Sequence, residues 1–389
     1  MVKKAYKYRL YPNKAQATLL DKHCGCVRLI YNHGLAEKIR HYEQTGESLS
    51  RYKIQSQLPV MKREDRPWLA EVNAQSLQAS LINLDRAFMN FFRKKTKFPR
   101  FKKKTDKQSF QVPQRGKIDF ENRKLIIPKF QEGIRCKMSR RFEGETKTFT
   151  VSKTTTGKYF VSVLVETPEE IPDKQPITEA STIGIDVGIK TFATLSTGEE
   201  IENPRLLKEE LARLKVLKRR ASKKKKGSIN RRKAFKKVAL HHERIAGRRN
   251  DFLHKLTHRL ISENQAVAIE DLNIAGMMKN HCLAQAIADV SWSEFFRQLE
   301  YKAEWKGKNV LKVGRFEPSS KMCSCGVINT KLTLKDRTWT CTACGITHAR
   351  DVLAAQNIKR FALLNDNLKN SGQGLTGELS EVRCCNDDR

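Results

Sequence analysis

Two close cysteine pairs near the end of the chain restrict what this sequence can fold into more than any other feature. The stretch reads Glu317-Pro-Ser-Ser-Lys-Met-Cys323-Ser-Cys325-Gly, and fifteen residues then separate Cys325 from Cys341-Thr-Ala-Cys344-Gly. Paired cysteines, each pair followed by glycine, are the pattern of a metal-stapled ribbon, and four thiolates favour Zn²⁺. Cys323, Cys325, Cys341 and Cys344 are the expected ligands. The first pair holds one intervening residue where zinc knuckles usually hold two to four. A fallback set would therefore join His348 to Cys341, Cys344 and Cys323. Directly after the ribbon comes His348-Ala-Arg350-Asp351-Val-Leu-Ala-Ala-Gln-Asn357-Ile. Asp351 falls where a helix should begin, so the insert is expected to deliver a carboxylate to a fixed place.

The charge balance narrows the partners. Against 42 Asp and Glu stand 76 Lys and Arg, a formal net charge of +34. So large a surplus repels itself in a compact state unless a polyanion neutralises it. Nucleic acid is the first candidate and a membrane surface the second. No apolar run approaches the roughly 18 residues of a spanning helix, and the opening Met-Val-Lys-Lys-Ala-Tyr lacks the apolar centre of a signal peptide. Ten cysteines without an export signal point to reduced thiols in a cytosol or nucleoid.

At 389 residues the chain has room for two or three domains. Residues 3–12 alternate like a strand ended by Pro12-Asn13. From residue 14 to about 100 the period is helical, with Leu77, Leu81, Leu84, Phe88 and Phe91 three or four apart. A basic run from Arg93 to Lys107 follows, interleaved with Phe98 and Phe101. It reads either as a solvated loop or as a phosphate-contacting, base-stacking segment, with Lys94, Lys102 and Lys103 as contacts. Strands are expected at 109–112, 117–120, 124–127, 147–152 and 159–166. If the first strand pairs with these, the helices of 14–107 are an insertion into a β-barrel formed by 1–13 and 108–167. The Pro-rich 168–180 is a linker. Next, Thr182–Leu195 reads as one near-continuous buried strand, followed by a hairpin turning at Thr197-Gly198. Between Arg213 and Arg249 lie 17 Lys and Arg and one acid, in two helices broken at 226–230. Arg219, Arg220, Lys224, Arg231 and Arg232 are its candidate phosphate contacts. A strand at 265–272, a helix at 292–307 and a strand at 310–316 lead to the cysteine insert, 317–345. Residues 346–362 return to the second domain begun at 181, and 363–389 read as a disordered tail.

Three acids stand out by context. Asp186 lies in an apolar strand, Glu270 ends another, and Asp351 opens a helix. Each alone has an ordinary explanation as a turn acid, a lysine partner or a helix-start acid. Together, on strand, strand and helix, they suggest the carboxylate cluster of an RNase H-like fold. Such clusters hold two divalent ions about 4 Å apart for in-line attack on a phosphodiester. Carboxylate ligands suit Mg²⁺, with Mn²⁺ as a substitute.

These motifs carry a family resemblance. Gly184-Ile-Asp186-Val-Gly, Ile269-Glu270-Asp-Leu, Ser319-Ser-Lys, the two cysteine pairs and Arg350-Asp351-x-x-Ala-Ala-x-Asn357-Ile resemble the TnpB proteins of bacterial insertion sequences. So do Tyr8-Arg-Leu-Tyr-Pro, Cys26-Val-Arg-Leu-Ile-Tyr-Asn32 and Asn83-Leu-Asp-Arg-Ala-Phe88. The likeness runs from Lys3 to about Phe361. It implies a multidomain α+β and α/β chain: a β-barrel wedge with an inserted helical recognition domain, then a RuvC-like nuclease domain carrying a zinc ribbon. It further implies RNA-guided, Mg-dependent cutting of double-stranded DNA beside a short transposon-adjacent motif, with Asp186, Glu270 and Asp351 as the triad. The guide RNA would come from the transposon end, and the transposase of the same element is a further candidate partner. By resemblance the adjacent motif is read from the helical domain and wedge. Tyr52, Gln55, Ser56, Gln75, Gln78 and Asn83 have side chains suited to base edges, or are ordinary surface polars.

One departure from the family pattern is Leu353, where Asn is frequent. The His23-Cys24-Gly25-Cys26 run is read as buried thiols on a helix face and not as a second metal site. No Walker loop occurs, since Gly184-x-x-x-Gly188 lacks the Gly-Lys ending. Rival readings are a guided repressor without cleavage, a junction resolvase, and a DNA-binding accessory of transposition. The three acids disfavour the first; the ribbon and the long N-terminal half disfavour the second.

Overall fold

The computed structural model describes residues 2–370 apart from residue 334. The chain divides into two compact units, one up to Glu170 and one from Ile171 onward. The division falls in the Pro-rich stretch.

In the first unit β1 (Val2–Tyr11) leads into helices α1 (Lys14–Thr45), α2 (Arg51–Ser56), α3 (Leu58–Arg63) and α4 (Ala74–Phe92). Six strands follow: β2 (Gln108–Val112), β3 (Lys117–Asp119), β4 (Lys124–Ile127), β5 (Phe130–Lys137), β6 (Glu145–Lys153) and β7 (Tyr159–Thr167). They form one antiparallel sheet in the order β2-β6-β7-β1-β5-β4-β3. β1 is therefore central, with Tyr8 opposite Val161 and Leu10 opposite Cys136. The helices enter between two strands of the same sheet. α1 starts on a capping box, in which Asn13 Oδ1 accepts from Gln16 N and Gln16 Oε1 accepts from Asn13 N.

Of the β-barrel expected from the sequence, a half-barrel forms. Among the described residues β2 and β3 end the sheet without pairing to each other. The physical reason lies in the core: Leu20, Val27 and Ile30 of α1 and Leu77 and Leu81 of α4 share one apolar cluster with Phe110, Val151, Val161 and Val163. The inserted helices cover the sheet face that closure would otherwise bury. Strand β5 escaped the sequence reading because Gly133, at positive φ, interrupts its apolar alternation. His23 is fully buried, its Nδ1 lying 2.8 Å from Leu19 O and its Nε2 accepting from Asn73 N. Burial pushes the Cys24 and Cys26 thiols up to about 12 and about 11. Both ring nitrogens of His23 are thus used, and the thiols are inert.

The second unit is built on a five-stranded sheet. β8 (Thr182–Val187), β9 (Thr191–Leu195), β10 (Glu200–Glu202), β11 (Ala266–Glu270) and β12 (Asn309–Val313) stand in the order β10-β9-β8-β11-β12. The expected single strand Thr182–Leu195 is in fact two antiparallel strands that turn at Gly188–Lys190, where Gly188 N donates to Phe192 O. The pairs β8–β11 and β11–β12 are parallel. Helices α5 (Leu206–Ser222) and α6 (Ile229–Glu263) form the basic hairpin. The short α7 (Ile274–Met277) and α8 (His281–Val290) precede α9 (Trp292–Trp305). Phe192, Leu253, Leu260, Ile269, Phe295 and Leu299 make the main core between sheet, α6 and α9. The cysteine segment carries β13 (Thr338–Thr340) and β14 (Thr347–Ala349), and α10 (Arg350–Asn370) closes the described chain. The first eight residues of the expected loose tail, 363–370, are helical because α10 continues through them. The rest of that tail, with Cys384 and Cys385, lies outside the described residues. No described helix is long and apolar enough to cross a membrane.

Candidate functional site

The parallel pairing of β8 and β11 puts Ile185 beside Ile269. Asp186 and Glu270, one residue further on, therefore emerge together at the C-terminal ends of neighbouring strands. Crevices at such strand ends are where open α/β sheets bind ligands. Helix α10 crosses over β8 and brings Asp351 in its first turn. The crossing is so close that a Cβ on Gly184 would lie 2.1 Å from Ala355 O and 2.9 Å from Lys359 N. Gly184 is therefore set by the approach of the helix that carries the third acid. Replacing it with Ala should push α10 off the sheet at a cost of about 3 kcal/mol, read as a fall in Tm of roughly 6–12 °C. An unchanged Tm would show that α10 does not sit this close.

The three acids share one electrostatic field. Burial, then the Glu270 and Asp351 carboxylates, push the Asp186 carboxyl up to about 7, against a partial pull downward by Arg350 and the Val187 N–H. Part of Asp186 reaches the surface, yet protein packs densely around its carboxyl. Glu270 accepts a 2.6 Å hydrogen bond from Ser319 Oγ. Asp351, with its side chain 38% exposed, is engaged by Arg337 at 3.3 Å. The three carboxylates are not gathered as tightly as the cysteines, the one such group among the described residues with ligand atoms close enough to hold an ion directly.

All four cysteine sulphurs lie within 4.8 Å of one another. Cys323 Sγ is 3.5 Å from Cys344 Sγ, and Cys325 Sγ is 3.7 Å from Cys341 Sγ. A tetrahedron with Zn–S bonds of about 2.3 Å has edges of about 3.8 Å, so the donor set fits zinc. After the short first pair Gly326 turns at φ 92, as Gly345 does at φ 71 after the second pair. Backbone N–H groups of Cys344 and Ala343 bring the Cys341 thiol down to about 6. Cys344 goes the other way: the Ile346 N–H lowers it, but burial and the adjoining sulphurs raise it to about 12. Four thiolates this close repel until a cation joins them. His348 is not needed as a fourth ligand. Its Nε2 lies 3.0 Å from Cys323 Sγ, placed to donate to that sulphur.

Leu353, the departure from the family pattern, has a packing explanation. It is buried against Cys323, Trp339 and Cys341. The ribbon thereby rests on the first turns of α10, beside Asp351.

Two residues that sequence reasoning quoted without a role turn out to organise this region. Asn357 on α10 is buried and donates through Nδ2 to both Ser319 O and Met322 O, each at 2.7 Å. Ser319 in turn holds Glu270. One helix thus carries Asp351 and fixes the segment that orients Glu270. Arg337, which contacts Asp351, had no sequence signal; it meets the helix start only because Arg350 N donates to Arg337 O.

The nucleic-acid candidates fall into separate groups. In the first unit Tyr52 is exposed beneath the Arg51 guanidinium. Gln55 is half-buried, and Ser56 is exposed with its hydroxyl turned back to Lys53 O. Gln75 donates to Gln114 and Asn83 to Gln111, while Gln78 is half-buried. The basic run is docked and is not a free loop. Phe98 meets Phe88 and Phe91 edge-on, and Asn32 bonds both backbone groups of Lys102. Lys94, Lys102 and Lys103 are all exposed, with the Lys102 ammonium over the Tyr31 ring. In the second unit Arg219, Arg220, Lys224 and Arg232 are exposed on the α5–α6 hairpin. Arg231 is spent on the hairpin itself, donating to Ser222 O and Lys224 O.

A mixed sheet with acids at two neighbouring strand ends, and a four-cysteine cluster set before α10, make this a mixed α and β fold. A Cas12f1 chain solved with guide RNA and target DNA aligns at TM-score 0.55, with 16% identity, covering 89% of this chain and 83% of that one. Family models described as "Probable transposase", "Cas12f1-like, TNB domain" and "Helix-turn-helix domain" match residues 161–281, 292–358 and 1–47. The last description does not suit the structure, in which the described residues of that span form a strand, Val2–Tyr11, and one long helix, Lys14–Thr45. A Streptomyces pristinaespiralis protein named "Putative RNA-guided DNA endonuclease" is 43% identical over 92% of this chain and 89% of its own length. The "Putative RNA-guided DNA endonuclease InsQ" of Escherichia coli K12 is 33% identical over 97% and 98%. The chain belongs to the OrfB/TnpB family.

Proposed function

We propose that this protein is an RNA-guided DNA endonuclease. Its sheet from β8 to β12 with α10 is read as an RNase H-like (RuvC) nuclease domain, and residues 317–345 as a zinc ribbon inserted in it. The first unit is read as a wedge sheet carrying a helical recognition insertion. The observation that carries the reading is the placement of the acids: Asp186 and Glu270 at the ends of neighbouring parallel strands, with α10 packed on β8 and Asp351 in its first turn. Burial, then the other two carboxylates, push the Asp186 carboxyl up. A group so placed is a cation ligand in waiting. The names of the two relatives and the +34 charge support a nucleic-acid substrate.

The donor chemistry fits Mg²⁺, or Mn²⁺ in its place, because all three ligands are carboxylates. Two such ions, when bound, stabilise the attacking and leaving oxygens of an in-line phosphodiester displacement. The chain's own residues do the rest. Asp186, Glu270 and Asp351 would hold the cations; Ser319 fixes one Glu270 oxygen, and Arg337 holds Asp351 at the helix start. The ribbon braces the turn of α10 that bears Asp351. Lys94, Lys103, Arg219, Arg220, Lys224 and Arg232 hold phosphates of guide RNA and of the RNA–DNA duplex, which is gripped by shape and backbone. Pairing with the guide selects the target, and the protein reads a short motif beside it. Retention of all three acids favours cutting over guided binding alone.

Asn357→Ala should raise the Mg²⁺ concentration for half-maximal cutting about 10–100-fold, as loss of outer support for metal ligands does. An unchanged Mg²⁺ requirement would leave Asn357 a packing residue only. Purified protein should carry one discrete RNA, and sequencing that RNA tests guidance. Random fragments of many sequences would count against it.

A further inference from the structure

We propose that Phe316 is a stacking platform for one unpaired nucleobase of the strand drawn to the carboxylates. The inference rests on the nuclease reading of that site. Phe316 is 94% exposed, the most exposed large apolar side chain among the described residues. Its segment is nonetheless held at both ends. Upstream, Val313 is paired in the sheet beside Glu270, and Asp271 N donates to Val313 O at 2.9 Å. Glu317 N then donates to Gly314 O at 3.2 Å, closing a turn with Phe316 inside it. Downstream, Ser319 is clamped by Asn357. The two anchors grip consecutive residues of the site: Arg315 contacts Asp271 at 3.3 Å and Ser319 contacts Glu270 at 2.6 Å. Phe316 lies between them in the chain, on backbone anchored at both ends and with its ring presented to solvent.

Its neighbours choose the occupant. Arg315, Glu317 and Lys321 flank the ring in sequence, so this is a lone aromatic among charges and not the contiguous apolar patch that a protein partner would bury. A phosphodiester brought to Glu270 carries a base on each side of it. Every base has a π face, and stacking on an aromatic ring is tolerant of sequence. That suits a nuclease whose target is chosen by its guide.

The test uses RNA-loaded protein and a matched single-stranded DNA, with an abasic nucleotide moved one position at a time past the cut. Phe316→Ala should lower cutting about tenfold, Phe316→Trp should retain it, and Phe316→Leu should behave as Ala does. At one position the abasic nucleotide should cost the native protein about as much as Phe316→Ala does, and should add nothing in the Phe316→Ala variant. Native cutting by Phe316→Leu, or an abasic penalty that persists in full in Phe316→Ala, overturns the platform. Asp186→Ala is run alongside. If it is inactive while the Phe316 variants cut normally, only the platform falls. If it cuts at the native rate, the nuclease reading falls and the platform with it.

Discussion

Replacing Asp186 with Asn is expected to stabilise the metal-free protein and to abolish cutting. The first effect follows from the sign of the shift. Folding raises the Asp186 carboxyl from 3.8 to about 7, so between those values the folded state binds more protons than the unfolded one. The stability tied to this group is therefore full below about pH 4. It is lost as pH rises toward 7 and stays lost above. A shift of that size is worth at most about 4 kcal/mol. Asn carries no such penalty. At pH 8 with divalent ions chelated, Asp186→Asn should melt higher than the native protein by on the order of 5 °C. The gap should close as the pH approaches 4. Adding Mg²⁺ should stabilise the native protein and leave the variant unmoved. The second effect is larger. A metal centre supplies several kcal/mol of charge stabilisation, and each ~1.4 kcal/mol is tenfold in rate. Cutting should fall by at least about a thousandfold while RNA and target remain bound. A variant that melts lower at pH 8 and still cuts would show that Asp186 is neither crowded by the other acids nor needed by the reaction.

Loss of the zinc ligands should be the largest stability effect in the molecule. Structural zinc sites contribute about 10–16 kcal/mol of apparent binding energy at neutral pH, and that energy is folding energy for the segment that binds. Cys341 is the ligand to change: its thiol is the one brought down to about 6 by backbone N–H groups. It is also packed with Trp339 and Leu353. Native protein should hold one zinc per chain by elemental analysis. Cys341→Ser should hold far less, expose the ribbon to protease, and lose cutting because Leu353 no longer fixes the first turns of α10. His348→Ala should keep its zinc, since the sulphur set is complete without it. Equal zinc content in Cys341→Ser and native protein would contradict the four-thiolate site. Zinc loss in His348→Ala would restore the fallback ligand set.

The parts legible in the sequence are those where one residue type violates its surroundings. An acid in an apolar strand, or cysteines in pairs before glycine, has few physical explanations, and the structure brings Asp186, Glu270 and Asp351 into one field and the four sulphurs into one cluster. What stayed hidden depends on contacts distant in the chain. The Ser319–Glu270 bond spans 49 residues, and ordinary polar side chains at such distances leave no local pattern. Arg231 looked like its basic neighbours until the hairpin turned its guanidinium onto Ser222 O and Lys224 O. The open sheet of the first unit was misread because alternation reports which strand face is buried, not what buries it. There α1 and α4 do so. The break between β8 and β9 was missed because both strands are apolar and Gly188-Ile-Lys190 is a short interruption.

The measurement that tests the account most directly is guided cutting in vitro. The protein is purified with its own RNA and given two DNA duplexes that share the adjacent motif, one matched to the guide end of that RNA and one scrambled there, with Mg²⁺ or with chelator. The account predicts that the matched duplex is cut with Mg²⁺ only, that the scrambled duplex stays intact, and that Asp186→Asn cuts neither. Cutting of both duplexes alike, or of the matched duplex in chelator, would contradict it.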